Sequence, residues 1–210
     1  MSKYFSKDKW SYMFRILNHP ADSFYEIRHR NFGSVPLALL VVFAFGLCYT
    51  LNRILASFVV NDADPSDIDG IAEMASIFIL MLLFAVGNWS VTCLMSGEGR
   101  FKDILTITGY AFMPMIFTLI PATLLSQVIA SGEEVFYQVI VGLGIAWTAV
   151  LILIGVMTIH NYSLGKTLAT LVITVLAMLV IVFLVLLLFT LVDQVIGFFV
   201  GIYTELIFRG

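Results

Sequence analysis

Five apolar stretches constrain this chain more than any other feature. They run over residues 35–60, 71–95, 104–129, 135–159 and 167–192. Each matches the roughly 20 helical residues needed to cross a hydrocarbon layer of about 30 Å, and is about twice what a barrel strand needs. In lipid such a run must satisfy its own backbone, so helices are expected. With 60% hydrophobic residues, 12% charged residues and a mean hydropathy of +1.02, a water-soluble globule is excluded. The predicted fold class is all-α: a polytopic membrane protein with five transmembrane helices, N-terminal interfacial helices and a C-terminal outer apolar helix. The corresponding segments are 1–33, 34–192 and 193–210.

The net charge of -3 conceals a segregation. Lys3, Lys7, Lys9, Arg15, Arg28 and Arg30 precede the first stretch, Arg100 and Lys102 lie between the second and third, and Lys166 lies between the fourth and fifth. The alternate connections, 61–70 and 130–134, hold no Lys or Arg, and only Arg209 follows the last stretch. The positive-inside rule then places the N-terminus in the cytosol and the C-terminus outside. The charged, broken N-terminal sequence has no signal-peptide core, so the first span is expected to direct insertion.

Within 1–33, Trp10, Met13, Phe14 and Leu17 share one helical face, which suits either an interfacial helix or one packed on the protein's own surface. Pro20 can open a second short helix with Ala21, Phe24 and Arg28 on one face. Ser34 is placed to cap the first span, and Ser131 with Glu134 has capping-box spacing before the fourth. At the other end the chain stays apolar from Thr167 to Phe208, about twice the length of one span. A break is expected at Asp193 and Gln194, followed by an outer tail helix in which Gly197 and Gly201 have GxxxG spacing.

Polar groups inside the apolar stretches are the candidates for function. Arg53 lies seven residues before residue 60, roughly 10 Å deep; its structural explanations are a side chain that snorkels outward or pairing with Asp193 or Glu73 on neighbouring helices. Asn88 is expected to hydrogen-bond between helices or to line a solute path, and Pro114 and Pro121 to kink the third span. The loop NDADPSDIDGIAE offers Asp62, Asp64 and Glu73 at EF-hand spacing. However, Asp67 occupies the position that wants Gly, so these are weak metal candidates and no metal or other cofactor is expected. Cys48 and Cys93 fall inside apolar stretches and read as small hydrophobes, with no disulfide framework or metal site expected from them. No catalytic motif is present, and an enzyme is not expected.

The connection SGEGRFKDILTITGYAFMP, residues 96–114, joins the second and third stretches through a Gly-containing basic turn. Its Gly97, Gly99, Phe101, Gly109, Tyr110, Ala111 and Pro114 resemble the Yip domain family. So do Pro20, Phe24 and Ile27 before the first span, Trp147 in the fourth, and the turn bearing His160, Ser163, Gly165 and Lys166. The resemblance implies a five-span protein; eukaryotic members bind Rab-type GTPases and one another in the early secretory pathway. Those members carry a long soluble N-terminal region, whereas only about 33 residues precede the first span here, as in the short prokaryotic branch. The expected role is therefore an adaptor or accessory subunit in the lipid bilayer, contacting another membrane protein such as a transporter permease, or itself, and no nucleic acid. Contacts are expected through Arg100, Lys102 and Lys166 and through the tail. The alternative is a transporter or permease-associated component with a solute path near Asn88 and the third span.

Overall fold

The structure, a computed structural model, describes residues 7–30, 32–61 and 64–208. Lys3, Asp62 and Arg209 lie outside them. Among the described residues eight α-helices are formed: α1 (Lys7–Arg15), α2 (Pro20–Arg30), α3 (Val35–Leu55), α4 (Gly70–Leu94), α5 (Phe101–Ala111), α6 (Met113–Ser126), α7 (Glu134–His160) and α8 (Leu164–Phe208). No strand occurs among the described residues. Counting α5 and α6 as one span, five helices are long and apolar enough to cross a membrane.

Several boundaries differ from those read in the sequence, each for a local reason. Hydropathy carries the first span to residue 60, but α3 stops at Leu55. There the chain turns over Ser57 and the Asn61 side-chain amide donates to the Arg53 carbonyl at 2.6 Å. Ser34 precedes α3 without a side-chain cap; its N–H and C=O both meet the Tyr110 hydroxyl, each at 3.3 Å. In α4, the Asp69 carboxylate accepts from the N–H groups of Ile71 and Ala72, which caps that helix. The third span breaks at Phe112, because Pro114 enters the first turn of α6 with no N–H to offer the preceding turn. Pro121 lies inside α6 without ending it. Glu133, rather than Ser131, is the N-cap residue of α7.

The largest correction concerns the tail. No break occurs at Asp193 and Gln194; α8 continues for 45 residues, about 68 Å at 1.5 Å per residue. Neither side chain bars helical geometry, no proline falls between Leu164 and Phe208, and Gly197 and Gly201 are the only strong helix-weakeners in the tail. Residues 193–208 therefore extend the fifth span instead of forming a separate helix.

The core lies around α5, which packs against α3, α4 and α7; α6 lies on α3 and α7, and α8 lies mainly on α4. Close approach makes the α3–α5 contact: a Cβ on Gly109 would sit 2.7 Å from the Ala38 Cβ. Hydrocarbon gives little hydrophobic drive between helices, so small residues at such crossings matter more than area. Outside the spans water is the competitor, and there α1 and α2 bury Met13, Ile16, Phe24 and Ile27 against the bundle. Each such side chain contributes about 1.5–3 kcal/mol. Thus α1 is a helix packed on the protein's own surface; Trp10 and Leu17 are partly buried, while Phe14 is turned outward and 47% exposed.

Candidate functional site

Charge divides the bundle into a basic end, where α2, the α4–α5 turn and the α7–α8 turn meet, and an acidic end bearing the α3–α4 and α6–α7 connections. At the basic end, α4 closes with Ser96 at φ 55° and Gly97 N–H on the Thr92 carbonyl at 2.7 Å; α7 closes with Asn161 in the left-handed region. These turns bring the residues around 97–99 against His160. An added Cβ on Gly97 would fall 2.6 Å from His160 Nδ1, and one on Gly99 would fall 2.7 Å from Cε1, so only glycine fits either position. The Gly99 N–H donates to His160 Nδ1 at 3.1 Å. An accepting Nδ1 requires the tautomer with its proton on Nε2, and that nitrogen is buried with no hydrogen-bond partner.

Other groups lock this contact. Tyr162 stacks on His160 at 5.3 Å and its hydroxyl donates to the Met95 carbonyl at 3.0 Å. Burial foremost, and then nearby Cys93, pushes the Tyr162 pKa up, which keeps the phenol a donor. Lys166 Nζ stands 4.1 Å over the Tyr162 ring. From α2, Arg28 donates through Nη1 to the Ile159 carbonyl and through Nη2 to Glu98 at 2.7 Å. Arg100 binds the buried Asp103 at 2.8 Å and the Arg28 carbonyl at 3.3 Å; its hydrogen bond to Asp103 raises its pKa further. Three chain segments are thus tied by backbone-to-side-chain bonds, and a cleft of about 380 Å³ opens beside them between Tyr25, His29, Glu98 and Asn161.

Of the candidates read from the sequence, Gly97, Gly99, Arg100, His160 and Lys166 gather at this basic end, where Lys102 is also exposed. The others are dispersed. Tyr110 is buried against Ser34, Pro114 stands at the α5–α6 break, and Trp147 is 43% exposed on α7. Asn88 is fully buried and its amide donates to Thr174 at 3.2 Å. Asp193, Gly197 and Gly201 are exposed on the far part of α8.

Arg53 pairs with Glu73 at 3.0 Å, not with Asp193. Because α3 ends at Leu55, Arg53 lies within one turn of the helix end and is shallower than its sequence position suggested. Glu73 is engaged there and Asp64 accepts from Ser66, whose two hydrogen bonds lower the Asp64 pKa, so these carboxylates do not converge. Among the described residues no three His, Cys, Asp or Glu side chains are grouped to hold a metal.

Two clusters escaped sequence reasoning. Asn52 links three spans, donating to Thr123 at 2.7 Å and accepting from the Tyr137 hydroxyl at 2.9 Å. An Asn beside Arg in an apolar stretch was the available signal. Arg28 was read as one member of a helical face; nothing local marks its reach to Glu98 and Ile159.

Among known protein families, the model of the family described as Yip1 domain matches residues 14–204. No curated protein and no solved structure matches the chain.

Proposed function

The chain belongs to the Yip1 domain family, and from that premise we propose that this multi-pass membrane protein is a non-enzymatic adaptor or accessory subunit whose docking element is the far part of α8. One observation carries the reading. Along α8 only Thr167, Thr170 and Thr174 are buried, and the helix outruns its neighbour α7 (27 residues) by about 27 Å. A bilayer of about 30 Å cannot cover 68 Å of upright helix, so the apolar extension needs a further protein surface. Large exposed apolar faces mark such contacts. The proposed partner is another membrane protein with its own apolar surface outside the bilayer; the proposed setting is a bacterial cytoplasmic membrane with the basic end in the cytosol, an orientation that the distribution of Lys and Arg supports.

The rival reading, a solute conduit near Asn88, has less support: Asn88 is bonded to Thr174, and Phe112 stacks on Phe45 with ring centroids 4.8 Å apart. A photo-crosslinking side chain at Phe198 tests the adaptor in growing cells, with Leu143 on the outer face of α7 as control. A discrete protein adduct of a mass other than the homodimer is expected at position 198 alone. Only lipid or self adducts at both positions would refute the adaptor.

A further inference from the structure

Between α3 and α4, at the acidic end, a groove of about 520 Å³ runs inward from the Arg53–Glu73 ion pair. Arg53 is in the last turn of α3 and Glu73 in the first turn of α4, so the pair stands where hydrocarbon gives way to headgroups. Beneath it lie Tyr49 and Phe45, the latter about 12 Å deeper, with Phe112 stacked on Phe45. The groove opens sideways, toward lipid, because Leu80 on its rim is 54% exposed whereas Phe45 is buried.

Each partner of the ion pair has capacity left. Glu73 Oε1 meets Arg53 Nη1, but Glu73 Oε2 is buried and has no hydrogen-bond partner. A buried, unsatisfied carboxylate oxygen calls for a hydrogen-bond donor, and a cationic N–H is the strongest. The Arg53 side chain is 37% exposed, and its planar fork suits a phosphate. A donor and a phosphate joined on one headgroup, above an aliphatic chain, match this arrangement of charge and grease.

We propose that the groove binds a phospholipid with a primary-ammonium headgroup: its ammonium on Glu73 Oε2, its phosphate on Arg53, and one acyl chain along Tyr49, Phe45 and Phe112. A trimethylammonium headgroup has no N–H for Oε2, and an anionic headgroup meets the Glu73 charge. The larger groove on the opposite side of the α3–α4 pair, about 920 Å³, has Asp69 at its mouth, already engaged in capping α4, and no cation for a phosphate.

The test uses the full chain purified in a mild maltoside detergent. Its melting temperature is followed with added dioleoylphosphatidylethanolamine, dioleoylphosphatidylcholine, dioleoylphosphatidylglycerol or chain-free phosphoethanolamine. The ethanolamine lipid is expected to raise the melting temperature by about 4 °C at ten times its Kd, with the other three giving less than half of that. Glu73→Gln should abolish the preference over the choline lipid. Leu80→Trp fills the groove from its exposed rim without touching the ion pair, and should abolish the shift even if Glu73→Gln fails to fold. Equal shifts from all three lipids, or a preference that survives in Leu80→Trp, would overturn the proposal. So would a full shift from phosphoethanolamine, which would assign the site to a soluble headgroup compound.

Discussion

The third span and the fifth stand at opposite ends of the hydropathy range, 1.7 against 3.5, and the fold treats them in opposite ways. In the third, 61% of the span window is buried; in the fifth, 6%. In the third, Gly109 meets Ala38, Tyr110 meets Ser34 and Thr123 accepts from Asn52, so both α5 and α6 carry specific contacts to α3 or its N-cap. α8 has a threonine ladder, Thr167, Thr170 and Thr174, on its first turns, then Met178 facing Gly87 and the half-buried Ile181, and from Val182 to Phe208 every residue is exposed. The more apolar span is thus the less buried one, because lipid covers an apolar helix as well as protein does; small residues and polar bonds at a crossing are what draw a helix into the bundle.

That contrast can be broken by mutation, and Gly109→Val should do most. Forcing a branched side chain into the Ala38 backbone is expected to destabilise by about 3 kcal/mol, read as a large fall in melting temperature or loss of detergent-soluble protein. His160→Phe keeps a ring in place but removes the acceptor for the Gly99 N–H, and about 1–3 kcal/mol should be lost. Arg28→Met leaves the Ile159 carbonyl and Glu98 without their donor; about 1 kcal/mol is expected, discounted because Glu98 is exposed. Leu188→Ala and Phe199→Ala in α8 should stay within about 0.5 kcal/mol of the parent, and a fall above 2 kcal/mol in either would mean that α8 is covered by its own bundle.

The same contrast explains what could be read from the chain beforehand. The five spans were legible because insertion depends on summed hydropathy, which is a property of sequence. Family pattern singled out Gly97, Gly99 and His160 without joining them, and the penalty on a lone charge in lipid pointed to a partner for Arg53, with Glu73 one of two residues offered. Hydropathy is blind to backbone geometry, however. It carried the first span past the turn at Ser57, and it placed a break at Asp193 where a polar side chain merely faces outward along a continuous helix. The links from Asn52 to Thr123 and Tyr137, 71 and 85 residues away, are tertiary facts with no local trace.

A truncation after Val192 tests the division between packed body and reaching arm most directly. Full-length and shortened chains are purified from native membranes in mild detergent, and melting temperature and co-purifying protein are measured together. The expected result is an unchanged melting temperature, within about 2 °C, with loss of a stoichiometric membrane-protein partner that the full chain retains. A shortened chain that melts much earlier, or that keeps the same partner, would contradict the account.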